Sequence, residues 1–130
     1  MFGQSQAFSG FSVDDLGEAR RFYGETLGLQ VEESGQDDMR ILTITLGSGA
    51  RVFVYPKENH TSASFTILNF PVDDIDAAVA ALEQRGVALE RYAEFDHDEK
   101  GVFRPGGSGP AAIAWFTDPA GNVLSVIQER

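Results

Sequence analysis

The sequence predicts an α+β fold built from two β-α-β-β-β modules, and three observations carry that prediction. Phe11-Ser-Val-Asp-Asp-Leu, with a helical pattern behind it, returns at Phe70 as Phe-Pro-Val-Asp-Asp-Ile with a second helical pattern. Each helical pattern is followed by short segments that alternate or run apolar, separated by turn residues, as strands are. The chain has 130 residues. Half of that buries too little apolar surface to be comfortable alone, so the halves are expected to share a core. The expectation is one domain over residues 1–130, with one module at about 7–57 and the other at about 64–128.

Ala7 to Val13, rich in Phe and small residues, reads as the first strand. Asp15, three residues before Glu18, makes a capping-box-like start for a helix, and acidic groups there suit the positive end of the helix dipole. Leu16, Ala19, Phe22, Tyr23 and Leu27 recur at helical spacing, and Gly28 is a natural stop. Leu29 to Glu33, Arg40 to Leu46 and Arg51 to Tyr55 read as strands, the last two joined by the turn Gly47-Ser48-Gly49.

The second module repeats the order. Ser64 to Val72 is a strand, and Asp74 opens a helix carrying Ile75, Ala78, Val79 and Leu82, stopped by Gly86. Val87 to Tyr92, Ala111 to Thr117 and Asn122 to Gln128 are the remaining strands, the last pair joined by a type I turn at Asp118-Pro119-Ala120-Gly121. The paired aspartates of both modules read as helix caps.

A formal charge of −10 argues against nucleic acid, which demands clustered Lys and Arg, and against an anionic membrane surface. No apolar run approaches the ~18 residues of a membrane span, and the start lacks the basic and apolar regions of an export signal. The chain has no cysteine, which removes disulfides and thiolate chemistry and agrees with a reducing cytoplasm.

Taken together, Phe11-Ser-Val-Asp-Asp-Leu, Arg21-Phe-Tyr-Gly, Leu27-Gly-Leu, Val72-Asp-Asp-Ile, Arg85-Gly-Val and Asp118-Pro-Ala-Gly-Asn122 resemble the vicinal oxygen chelate superfamily, the glyoxalase/bleomycin resistance protein/dioxygenase-like domains. The resemblance spans nearly the whole chain. It implies curved sheets that enclose a cup-shaped cavity, usually in a homodimer, and chemistry that ranges from lyases and dioxygenases to plain drug binders. In metal-dependent members, His, Glu or Gln side chains near the ends of four strands hold a divalent ion, with ligands converging at about 2.0–2.3 Å. Counted from the matching landmarks, the corresponding positions here are Phe8, Val52 or Phe53, Ile67 and Ser125. A shift of one residue brings no better ligand at the first, third or fourth of these, and Val52 to Tyr55 holds none in any register. No metal and no other cofactor is therefore expected.

The expected function is binding or sequestration of a small organic molecule, similar to bleomycin-resistance proteins. The alternative is a glyoxalase-like lyase or isomerase, or a dioxygenase-like enzyme, with relocated metal ligands or metal-independent chemistry at His60 or an acidic side chain. The residues expected to line the cavity are Phe8, Ser12, Phe53, Tyr55, Asn69, Trp115 and Ser125, with His60 and Arg104 as polar additions. Asn69 is expected to be buried by strand parity with Ile67, and His97 reads as a solvated loop residue. Gly101 to Pro110 reads as a mobile lid or connector.

Overall fold

The computed structural model describes residues 1–130 and resolves the chain into two units, Met1–Ser62 and Ala63–Arg130. The first contains β1 (Ser9–Val13), α1 (Leu16–Arg20), β2 (Gln30–Ser34), β3 (Ile41–Thr45) and β4 (Arg51–Pro56). Its sheet runs β1-β4-β3-β2, with β1 parallel to β4 and the other neighbours antiparallel. This is the expected β-α-β-β-β order.

Asp15 caps α1, its Oδ1 accepting the N–H of Glu18 at 3.0 Å. The Glu18 carboxylate pairs with Arg21 one turn on. Beyond Arg20 the helix widens into a π-helical segment, Arg21–Thr26, where the N–H of Leu27 reaches the carbonyl of Phe22 at 2.9 Å. The adjacent Phe22 and Tyr23 are both buried there, with their rings edge to face at 5.2 Å. The helical face of the sheet presents Phe11, Val13, Leu42, Ile44, Val52 and Val54, and Phe11 lies 5.6 Å from Tyr23. By alternation the opposite face carries Gly10, Ser12, Thr43, Phe53 and Tyr55.

The second unit contains β5 (Thr66–Pro71), α2 (Ile75–Gln84), β6 (Ala112–Thr117) and β7 (Val123–Gln128), in the order β5-β7-β6 with β5 parallel to β7. Asp74 caps α2 through the N–H groups of Asp76 and Ala77, and Gln128 Oε1 accepts the N–H of Ile75 at 2.9 Å. The caps read from the sequence are thus Asp15 and Asp74. Ile75, Val79 and Leu82 of α2 are buried, as are Ala114, Phe116, Leu124 and Val126, which share one face of the sheet.

One expected strand is missing. Val87 to Tyr92 makes a single bridge, Glu90 to Trp115, where the N–H of Glu90 meets the Trp115 carbonyl at 2.7 Å. The ladder stops there because the N–H of Tyr92 donates to His97 Nε2 at 3.0 Å, so the backbone turns into a loop. The Asp118 turn forms as expected, with the N–H of Gly121 donating to the Asp118 carbonyl. The buried Asp118 carboxylate also accepts the N–H groups of Ala120 and Asn122 and the Asn122 side-chain amide. No helix is long and apolar enough to cross a membrane.

Candidate functional site

The face of the second sheet away from α2 carries Ile113, Trp115 and Thr117 on β6, Ser125 and Ile127 on β7, and Asn69 on β5. A register irregularity between Thr66 and Leu68 puts Thr66, opposite Val123, on the same face as Asn69. Trp115 Nε1–H donates to Thr66 Oγ1 at 3.2 Å, which anchors the indole to β5, and Ser125 Oγ donates to Asn69 Oδ1 at 2.6 Å. Strand parity counted through Ile67 therefore misses Thr66, because a bulge leaves no mark in the residue pattern. Asn69 is exposed, contrary to the expected buried amide, while its partner Ser125 is fully buried.

The loop between α2 and β6 closes against Trp115. Phe95 stacks on the indole with centroids 5.1 Å apart and planes at 14°, and Phe103 lies nearly parallel at 6.2 Å and 23°. Tyr92 and His97 meet it edge-on, at 5.4 and 6.0 Å. Trp115 is only 9% exposed, enclosed by these rings. Tyr92, Phe95 and Phe103 were not legible as site residues, since loop aromatics carry no periodic signal.

His97 is not the solvated residue expected. Its Nε2 accepts from Tyr92 N–H, and Nδ1 lies 2.8 Å from the Gly101 carbonyl, which fixes the tautomer with the proton on Nδ1. Nor is the loop untethered: Arg91 donates to the carbonyls of Asp98 and Glu99, and Arg130 donates to those of Pro105 and Gly109. Arg104, expected as a polar addition to the cavity lining, ion-pairs with Asp76 at 2.9 Å and lies 3.6 Å from Asp98. Burial alone pushes Asp98 up, but the N–H groups of Val102 and Lys100, with the Arg104 guanidinium, outweigh it and hold the carboxyl below its ordinary range. Burial, then the negative charges of Glu90 and Glu94, push the Tyr92 phenol up.

In the first unit the face away from α1 gathers the five remaining expected residues. Phe8 packs on Phe53 with centroids 4.4 Å apart, Tyr55 stands next to Ser12 across β1 and β4, and Ser12 Oγ lies 2.7 Å from His60 Nδ1. Gly10 lies beneath them because a Cβ there would sit 3.3 Å from the Phe53 carbonyl oxygen. Phe8 and Tyr55 are exposed. An open depression of about 520 Å³ elsewhere in this unit is lined by Arg20, Glu33, Gly35, Gln36, Asp37 and Arg40. Its guanidiniums are already paired with Glu33, and it offers no apolar wall to a ligand.

The residues at the expected metal-ligand positions, Phe8, Val52 or Phe53, Ile67 and Ser125, offer phenyl rings, aliphatic chains and a serine hydroxyl already donated to Asn69, which are poor donors for a divalent metal. No three His, Asp or Glu side chains converge as a ligand set elsewhere.

Residues 7–126 match the family model of the Glyoxalase/Bleomycin resistance protein/Dioxygenase superfamily. No curated protein sequence matches at a significant level. Among solved structures, the chain is similar to TnmS3, an antibiotic binding protein from Streptomyces sp. CB03234, at 26% identity and a TM-score of 0.68, covering 95% of this chain and 96% of that one. It is similar to a glyoxalase/bleomycin resistance protein from the same organism at 26% identity and a TM-score of 0.64, covering 94% and 100%. A glyoxalase family protein from Enterococcus faecalis shares the fold at 21% identity and a TM-score of 0.69, covering 98% and 99%.

Proposed function

The chain belongs to the glyoxalase/bleomycin resistance protein/dioxygenase superfamily, and within it we propose that it is a metal-free binding protein that sequesters a planar aromatic small molecule. The observation that carries this reading is the Trp115 cluster, with an indole anchored by Thr66 and partnered face-on by other rings. Stacking surfaces of this kind hold flat apolar ligands, and neighbouring hydroxyl and amide groups such as Asn69 orient them. The likeness to an antibiotic binding protein supports the same class of role. The excess of acidic residues favours a cationic ligand through the long-range field. The unsuited donor set supports a site without metal or other cofactor. Absence of cysteine suits a cytoplasmic protein, and the family habit of pairing supports a homodimer, which light scattering in solution tests.

The test has two arms. Protein purified without chelator is assayed for nickel, zinc, iron and manganese and for turnover of the glutathione–methylglyoxal adduct. Separately, a thermal-shift screen covers aromatic antibiotics, quinones and amino-acid-derived metabolites, since a ligand selective for the native state raises Tm. The expected result is no stoichiometric metal, no turnover and a Tm increase for flat aromatic compounds. One equivalent of metal with turnover overturns it.

A second reading rests on the Ser12–His60 hydrogen bond, which places a hydroxyl and an imidazole together beside Phe53 and Tyr55. Such a pair can move a proton without a metal, as a metal-independent lyase or isomerase requires. Turnover abolished by His60→Gln with ligand binding unchanged is its signature.

A further inference from the structure

We infer that Phe95 is a built-in occupant of the stacking face of Trp115, displaced when a planar aromatic ligand binds. The inference rests on the stacking reading above and adds how that site is kept closed and which element opens it.

Two rings lie face-on to the indole, and their backbones are held differently. Phe103 is tied to the edge of the sheet, exchanging N–H and carbonyl with Ile113 at 2.9 Å in both directions. Phe95 has no rung of that kind; its N–H closes a turn onto the Tyr92 carbonyl at 3.0 Å. Movement of Phe95 therefore costs no ladder hydrogen bond, whereas movement of Phe103 breaks two. The turn is closed by side chains, with His97 bridging the Tyr92 N–H and the Gly101 carbonyl and Arg91 reaching the Asp98 and Glu99 carbonyls. These bonds can open and re-form while β6 and β7 stay intact. At 14° and 5.1 Å, Phe95 holds the geometry that a ligand ring would adopt on the same indole. Residues 90–104 carry five acidic against three basic side chains, so a cationic ring system fits best once Phe95 has left.

Trp115 is the sole tryptophan, so its fluorescence reports this face alone. The probe is proflavine, a planar tricyclic cation, titrated against the full chain and against Phe95→Ala and Phe95→Leu, with 9-anthracenecarboxylate as the anionic comparison. A competitor in place nine-tenths of the time weakens apparent affinity about tenfold, so Phe95→Ala is expected to tighten proflavine binding by about that factor. Phe95→Leu, which keeps apolar bulk but cannot stack, tightens it by less and keeps the test open should the alanine variant fail to fold. Acrylamide quenching of Trp115 without ligand is expected to rise several-fold in Phe95→Ala. Proflavine that binds the wild type but binds the variants equally or more weakly overturns the occupant role alone. A Trp115 signal that proflavine moves in no protein overturns the stacking function and this inference with it.

Discussion

The hydroxyl of Ser125 donates to Oδ1 of Asn69 at 2.6 Å, joining β7 to β5 on the face that carries Trp115. Ser125 is fully buried and Asn69 is exposed, so the bond orients an amide at the solvent edge from a rigid strand. Replacing Ser125 by alanine removes one neutral hydrogen bond, while the freed Asn69 oxygen is rehydrated. A loss of about 1 kcal/mol is expected, read from the midpoint of urea unfolding at constant m-value. A loss above about 3 kcal/mol shows that Ser125 has a packing role beyond this bond.

The turn between β6 and β7 rests on a buried carboxylate. Asp118 accepts two backbone N–H groups and the Asn122 amide, with distances of 2.8 to 3.1 Å. Asp118→Ala strands those donors in a buried setting, and a destabilisation of about 2–4 kcal/mol is expected. Asp118→Asn keeps one acceptor oxygen and is expected to cost less. Equal losses in the two variants would show that the charge, not the geometry of acceptors, holds the turn.

Asp98 supplies a pH dependence with a definite sign. Its carboxyl is held below its ordinary value of 3.8, so the folded state releases the proton more readily than the unfolded chain does. The stabilisation is present above the unfolded value and is lost as pH falls through the folded one. Asp98→Asn is therefore expected to be less stable than wild type at neutral pH and to close the gap on acidification below 3.8. Partial exposure and its pairing with Arg104 keep the effect small and salt-sensitive. The unfolding free energy of both proteins, measured from neutral pH down to the acid limit, checks it; a constant gap refutes the assignment.

The contrast between caps and loop shows what a sequence can carry. Asp15 and Asp74 are recognisable because a cap acts over three residues, and the Asp118 turn because Pro and Gly fix its backbone. Phe8 and Ser12 lie beside Phe53 and Tyr55 because period two survives where pairing is regular. Thr66 was missed where the register slips near Ile67. The strand expected at Val87–Tyr92 does not form, because the segment ends on a hydrogen bond from Tyr92 to His97, a partner that no local pattern reveals. Phe95 and Phe103 meet Trp115 only through tertiary closure.

Gly101 tests that closure without touching an aromatic ring. Its φ of +99° lies where an L side chain is strained, and an added Cβ would stand 3.0 Å from Leu89 Cδ1 and 3.2 Å from Leu89 Cβ. Its carbonyl also receives the His97 imidazole, so any shift of this residue is transmitted to the loop that carries Phe95. Gly101→Ala thus combines backbone strain with crowding, and a destabilisation of about 1–3 kcal/mol is expected. The loop should loosen before the sheet does, because the ladder of β6 and β7 does not pass through it. Acrylamide should then quench Trp115 more strongly at temperatures where far-UV circular dichroism is still native. A variant with wild-type Tm and wild-type quenching would mean that the loop adapts to the extra methyl, and that the Gly101–His97 contact does not hold Phe95 over the indole.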